Sequence, residues 1–324
     1  MNDLAEQTAI SQSLADDDPV AQTVRAGLAR TPKALPPWLF YDDAGSELFE
    51  AITGLPEYYP TRTERAILTD FAQQMLDAAG EDLTVVELGA GSADKTQILL
   101  EALLARQDRA TFVPVDVSPA LPAVAEALRE KYPGLSVVPI SARFPGELEW
   151  LAEVPGRRLV LFLGSSIGNY TPHEAQALLE GVRQGLREGD VFLLGTDLVK
   201  SRELLLAAYD DSQGVTAAFN KNMLARINRE LGGRFDLDAF QHVVKWNTRE
   251  RRIEIYLHSQ RDQKVAIRDL GMVVRFSQGE LLHTENSHKF TVDGVRALME
   301  AAGFECAQTW MDARRWFALT LGRV

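Results

Sequence analysis

Leu83-Thr84-Val85-Val86-Glu87-Leu88-Gly89-Ala90-Gly91-Ser92 is the stretch on which the fold turns. Leu83–Leu88 has the length and apolar character of a buried strand. The glycines behind it let the backbone turn sharply and approach a ligand with no Cβ in the way. Helical periodicity then runs to about residue 105, and Thr111–Val115 reads as a second strand ending at Asp116. A helix over 119–131, a strand over 136–139, and apolar runs over Arg158–Leu163 and Asp190–Gly195 continue the alternation. Between the last two runs, Thr171 is an N-cap, Pro172 takes the first helical position and Glu174 completes a capping box. Ala175, Leu178, Leu179, Val182 and Leu186 form one apolar face behind it. Strands alternating with helices at this spacing predict right-handed crossovers and a parallel sheet.

Outward from that core the pattern changes twice. After Asp197, residues 199–232 read as helical and about 239–290 as antiparallel strands, with Ile253, Ile255 and Leu257 facing one way. A helix over about 292–302 and strands over 304–310 and 316–322 then resume the α/β pattern. On the N-terminal side, Trp38-Leu39-Phe40-Tyr41 is too aromatic for an idle linker. The expected fold class is α/β: a seven-stranded Rossmann-like sheet with an inserted α+β domain. The expected boundaries make 1–18 a disordered terminus and 19–63 the N-terminal part of the second domain. Residues 64–197 and 290–324 then form the sheet domain, and 198–289 the insert.

Composition excludes several classes. The net charge of −12 on 324 residues argues against nucleic acid as a partner, because a phosphate-binding surface needs a dense basic patch. No run approaches the ~20 apolar residues that span a bilayer, and the N-terminus lacks the pattern of a secretory signal. A single cysteine, Cys306, leaves no disulfide framework and no cysteine zinc cage. These features favour a cytoplasmic location and a small-molecule substrate. His283, Glu285 and His288 cluster in sequence, but no H-E-x-x-H motif accompanies them and no metal is expected. No G-x-S-x-G elbow is present.

Gly89 and Gly91, placed after a strand and followed by an acid at the next strand end, point to an adenosyl cofactor. Asp116 is positioned to take both ribose hydroxyls. A dinucleotide fingerprint requires a third glycine, where this chain has Asp94. S-adenosylmethionine has no pyrophosphate and carries a positive sulfonium, so an acid there is tolerable and methyl transfer is favoured over hydride transfer. Asp94 also suits a solvent-facing acid in the first turn of a helix.

Further stretches are more specific. Leu55-Pro56-Glu57-Tyr58-Tyr59-Pro60-Thr61-Arg62, Gly164-Ser165-Ser166-Ile167-Gly168-Asn169 and Asp197-Leu198-Val199-Lys200 occur in order. Ala208-Tyr209-Asp210-Asp211, Val215-Thr216-Ala217-Ala218-Phe219-Asn220, Lys245-Trp246-Asn247 and Glu285-Asn286-Ser287-His288-Lys289-Phe290 follow. From about residue 34 onward the chain resembles the histidine Nα-methyltransferases of ergothioneine biosynthesis, which make the trimethylated betaine hercynine from L-histidine. The resemblance implies a monomer using S-adenosyl-L-methionine, with the insert and N-terminal segment forming the amino-acid pocket.

By the same resemblance, Asn169 and Tyr209 hold the substrate α-carboxylate and help place its amine, and Gly164 belongs with them. Glu285 and Ser287 bind the imidazole. Tyr58 closes the pocket, Tyr41 and Phe49 line the region around the amine, and Tyr41, Phe49 and Asn169 are the catalytic residues the resemblance implies. Gly89, Gly91, Lys95, Asp116 and Phe144 fall on the cofactor side. Plainer roles are open to several of these residues: Asn169 also suits the cap of the helix opening near Pro172, and Glu285 a strand acid paired with Lys289. Two positions depart from the family pattern. Arg143 precedes Phe144 where an acid is usual, and Ile255 stands where methionine is common.

Three competing functions remain at this stage. A methyltransferase for another aromatic amino acid, such as a tryptophan derivative, is disfavoured by Glu285, since a large apolar ring gains little from a carboxylate. A nicotinamide-dependent oxidoreductase is disfavoured by Asp94. A non-catalytic binding module is disfavoured by the intact Asn169, Tyr209, Glu285 and Ser287.

Overall fold

A computed structural model describes residues 18–142 and 148–324. The chain opens with helices α1 (Pro19–Ala29), α2 (Asp43–Thr53) and α3 (Tyr59–Ala79). Strand β1 (Leu83–Leu88), α4 (Thr96–Leu104), β2 (Ala110–Val115), α5 (Leu121–Lys131) and β3 (Leu135–Val137) follow. Next come β4 (Arg157–Phe162), α6 (Pro172–Gly185) and β5 (Val191–Asp197). Helices α7 (Arg202–Tyr209) and α8 (Val215–Glu230) lead to β6 (Phe240–Asn247) and β7 (Arg252–Ser259). Strands β8 (Gln263–Ile267), β9 (Met272–Phe276) and β10 (Leu281–His288) precede α9 (Val292–Ala301), β11 (Glu305–Met311) and β12 (Phe317–Arg323).

Local chemistry fixes the helix starts. The Asp18 carboxylate accepts from the Val20 amide and Asp42 from the Gly45 amide, relieving donors that a helix N-terminus leaves unpaired. Thr171 and Glu174 form the reciprocal capping box at α6.

These elements divide into two compact units. The sheet unit comprises Tyr59–Lys200 and Ser287–Val324. Its sheet has seven strands in the order β11-β12-β5-β4-β1-β2-β3. All neighbours from β5 to β3 are parallel, while β12 runs antiparallel to both β5 and β11. Strand residues alternate between two cores. Val85, Leu159, Leu161 and Leu193 join Ile67, Leu68 and Leu99 on one face. Val86, Val160, Phe162 and Phe192 join Leu178, Leu179 and Met299 on the other. A sheet buried on both faces gives the continuous apolar runs that marked its strands in the sequence.

The insert unit comprises the described residues up to Tyr58 together with Ser201–Asn286. It holds a three-stranded sheet in the order β10-β7-β6 and a separate β8–β9 hairpin. Ile253, Ile255 and Leu257 point inward along β7. Leu28, Leu39 and Phe40 from the N-terminal segment share one core with Phe219, Met223 and Leu257.

The chain passes between units after Tyr58, Lys200 and Asn286, a few residues inside the boundaries expected at 63, 197 and 289. The cause lies in the sheet unit, at the end of β5. Asp197 is buried, and its carboxylate accepts from the Tyr59 hydroxyl at 2.7 Å and pairs with Lys289 at 2.7 Å and with Lys200. Burial by itself would raise this carboxyl, but the Lys289 and Lys200 charges hold it below the ordinary range. Lys200 in turn is pushed by burial down to about 8, against the pull of Asp197. Replacing Asp197 with alanine would leave two buried ammonium groups uncompensated. The expected cost is about 3–5 kcal/mol of stability, checked by urea denaturation; a loss under 1 kcal/mol would show that the lysines find other partners.

Candidate functional site

Ligands of parallel α/β sheets bind beyond the carboxyl ends of the strands, where the strand order reverses. Here that point lies between β1 and β4. Gly91 adopts φ +52°, and a Cβ built on it would meet nothing within 4 Å, so the loop borders open space. Its amide donates to Asp116 Oδ2 at 2.9 Å, and Ser118 N donates to Oδ1 at 2.9 Å. These two bonds set the acid beside the glycine loop. Asp94 accepts from Ser92 Oγ and Gln97 Nε2, bonds that stay within the turn leading into α4.

Lys95 pairs with Glu64, a fully buried acid on α3 whose two oxygens also accept from the Gly164 amide at 2.9 and 3.0 Å. One carboxylate therefore ties the loop after β1 to the loop after β4. It reaches them through the space above Gly195, where a Cβ would lie 2.3 Å from Glu64 Oε1. Glu87, in β1, sits among the same groups. Burial pushes its carboxyl up to about 8, with Glu64 and Asp116 adding to the rise and Lys95 opposing it. Glu64, Glu87 and Asp116 thus gather with Lys95 around the loops after β1 and β2.

The second cluster belongs to the insert unit. A pocket there is lined by Tyr41, Phe49, Tyr58, Tyr209, Ile255 and Glu285, among others. Its rings pack edge to face: Tyr41 on Phe49 at 5.6 Å between centroids, Phe49 on Tyr58 at 6.3 Å and Tyr58 on Tyr209 at 6.2 Å. Phe219 completes the wall against Tyr41 and Phe49 at 5.6 and 5.9 Å. A box of aromatic faces with one carboxylate in its lining is suited to an organic cation carrying a polar ring.

The remaining candidates lie in the sheet unit. Asn169 ends the 3₁₀ turn Ser166–Asn169 beyond β4, and the cap of α6 is Thr171, not Asn169. Gly164, at φ +75°, has its amide committed to Glu64. Ser287 is buried and accepts from Lys289 Nζ at 2.8 Å, while Lys289 pairs with Asp197. Arg143 and Phe144 lie outside the described residues. Among the described residues, no helix is long and apolar enough to cross a membrane, and no group of three or more His, Cys, Asp or Glu is placed to hold a metal ion.

Comparison with known proteins places this geometry. The family described as histidine-specific, SAM-dependent methyltransferases matches residues 20–324. The chain belongs to this family. It is 47% identical over 301 residues to the histidine N-alpha-methyltransferase of Mycolicibacterium smegmatis, covering 92% of each chain. It is likewise 47% identical, over the same shares, to the histidine N-alpha-methyltransferase of Mycobacterium tuberculosis. Ergothioneine biosynthesis protein 1 of Neurospora crassa is 28% identical over 86% of this chain and 32% of its own length. The cofactor of the family, S-adenosylmethionine, is the ligand class for which the β1 loop and Asp116 are suited.

Glu64, which contacts Lys95 and Gly164, and the pocket-lining Phe219 and Asn220 have no assigned role in the sequence reading. Phe219 and Asn220 fall within a quoted motif, which was the available signal. Glu64 had none, since an acid in a helix reads as solvent-facing until its neighbours are known.

Two expectations follow for the cofactor side. Asp116→Ala weakens S-adenosylmethionine binding roughly ten- to a hundred-fold, the size of a lost charge-assisted hydrogen bond; calorimetry showing unchanged affinity would remove Asp116 from the site. Glu87 gives a pH signature, because its carboxyl ionises near 4.5 when unfolded and near 8 when folded. The unfolded chain releases that proton first, so the group's contribution to stability is full below about pH 4.5 and is lost as pH rises through about 8. Glu87→Gln therefore flattens the fall in thermal midpoint of the cofactor-free protein between pH 5 and 8; an unaltered slope would assign the titration elsewhere.

Proposed function

We propose that the protein transfers methyl groups from S-adenosyl-L-methionine to the α-amino nitrogen of L-histidine, up to the trimethylated betaine hercynine, as a step of ergothioneine biosynthesis. The observation that carries the substrate is the insert pocket, where Glu285 and the aromatic box line one space. Histidine carries a cation at one end and an N–H-bearing ring at the other, and the pocket offers a complement to each.

In this reading Glu285 accepts the imidazole N–H, a charge-assisted bond worth roughly 1.5–3 kcal/mol. An indole or phenyl ring gains much less from it. Tyr209 holds the α-carboxylate, and Tyr58 closes over the substrate. Tyr41 and Phe49 face the amine, and their π surfaces compensate the fixed positive charge that grows as methyls are added. For the sheet unit the assignments rest on family resemblance: Asn169, Gly164 and Ser287 on the substrate, and Gly89, Gly91, Lys95, Asp116 and Phe144 on the cofactor. We place the enzyme in the cytoplasm as a monomer.

S-adenosylmethionine supplies an electrophilic methyl group on a sulfonium. The protein's task is to hold a neutral amine lone pair in line with it, and orientation of this kind can remove about 7–11 kcal/mol of a barrier. The ammonium proton leaves to water, so no strong side-chain base is needed. Each transfer forms one N–C bond as one S–C bond breaks.

The deciding experiment incubates the purified protein with S-adenosylmethionine and an equimolar mixture of the twenty amino acids, read by mass spectrometry. Histidine alone should gain three methyl groups. Methylation of a different amino acid would keep the reaction and point to Ile255 as the cause of altered specificity. Glu285→Ala should raise the KM for histidine by roughly ten-fold or more, with cofactor affinity little changed. Wild-type histidine kinetics in that variant would take Glu285 out of the pocket.

A further inference from the structure

Asn220, on α8 beside Phe219, lines the insert pocket and is 1% exposed. Its Nδ2 donates to the Tyr256 carbonyl at 3.1 Å and meets His242 Nδ1 at 2.8 Å. The opposite ring nitrogen, His242 Nε2, lies 2.9 Å from the Tyr209 carbonyl. A carbonyl only accepts, so Nε2 carries the proton and Nδ1 is left as an acceptor. Burial lowers the pKa of His242, which keeps the ring neutral and this tautomer in place. Two acceptors, Nδ1 and the Tyr256 carbonyl, therefore fix the amide with its NH₂ toward the sheet. Its other atom, Oδ1, is buried, and no described residue donates to it.

A buried acceptor without a donor is rare in native proteins and calls for a partner from outside the chain. We propose that Asn220 is a specificity-determining residue whose Oδ1 accepts an N–H from the α-amino group of the substrate. The inference rests on the function proposed above. Free histidine offers two kinds of donor, one ring N–H and the amine. Glu285 is assigned the ring N–H, and the other nitrogen of a neutral imidazole is an acceptor that would repel Oδ1. The amine is the donor that remains. Asn220 also follows Phe219, whose ring packs on Tyr41 and Phe49, the faces assigned to the amine.

The contact changes as the reaction proceeds. A neutral primary amine presents two N–H bonds, the monomethylated amine one, and the dimethylated amine none. Oδ1 accepting one of them turns the lone pair away from itself during the first and second transfers. The finished trimethylammonium has no donor to offer, so Oδ1 distinguishes substrate from product.

The test compares wild type, Asn220→Leu and Asn220→Asp in calorimetric binding of L-histidine and of its Nα-trimethyl betaine. S-adenosylhomocysteine binding and thermal melting serve as fold controls. Leucine keeps the branched shape and removes the acceptor, so the Kd for histidine should rise roughly ten- to a hundred-fold, while the Kd for the betaine changes less than about three-fold. Aspartate keeps an oxygen acceptor and should preserve the wild-type ratio of the two Kd values; this comparison decides if the leucine variant does not fold. A parallel rise for both ligands in Asn220→Leu, or a collapsed ratio in Asn220→Asp, would assign Asn220 a purely structural role and overturn the proposal. Wild-type protein that neither binds nor methylates histidine would instead overturn the function on which the proposal rests.

Discussion

Asp197 ends β5 at a depth where an ionised carboxylate is unfavourable unless cations and donors surround it. Those partners come from three distant places in the chain: Tyr59, Lys200 and Lys289. Each stands within three residues of a point where the chain leaves or re-enters the sheet unit. A single anion thus gathers the roots of all three passages. The backbone reinforces it: Leu198 N donates to the Trp316 carbonyl, Val199 N to that of Phe290, and Phe290 N to that of Asp197. An insertion of this size interrupts the sheet between β5 and α9, and the ion cluster is the device that lets the sheet resume as though uninterrupted.

Glu64 plays the corresponding part at the cofactor loops. Its carboxylate is buried, yet Lys95 and the Gly164 amide satisfy it. One buried carboxylate thereby links the loops after β1 and β4. Gly195 is the local condition for it, since any side chain there would occupy the site of the Glu64 oxygen. A glycine in the interior of a strand otherwise weakens it, and here the carboxylate accounts for its presence.

The sheet was legible because a strand buried on both faces is written as an uninterrupted apolar run, and β1, β2, β4 and β5 were each read from such a run. The capping box at Thr171 and Glu174 was legible because capping is chemistry between near neighbours. Glu64 was not legible: its partners lie 31 and 100 residues away, and a helical acid looks the same whether it faces solvent or a lysine. Asn220 lies at the end of the Val215–Asn220 motif, but its significance rests on which of its two side-chain atoms lacks a partner. That depends on the tautomer of His242, a fact of packing. Lys289 was illegible for the same reason as Glu64, since it pairs with an acid 92 positions earlier, Asp197.

On the proposed function, the pocket combines two kinds of attraction that respond differently to methylation. Aromatic faces attract a cation through its charge, by about 0.5–2 kcal/mol according to desolvation, and do so whether nitrogen bears hydrogens or methyls. Hydrogen bonds to the amine require N–H groups, and each transfer removes one. A pocket built on aromatic faces alone would hold the trimethylated product at least as firmly as the substrate, because a permanent cation has no neutral form to escape into. A pocket built on hydrogen bonds alone would release each intermediate early. On the proposed function, Tyr41, Phe49 and Phe219 would keep a charge-based hold on each methylated form, while Asn220 Oδ1 would keep its single N–H contact through the second transfer and lose it afterwards. Retention of intermediates and release of the betaine would then follow from one arrangement of side chains, without any conformational switch.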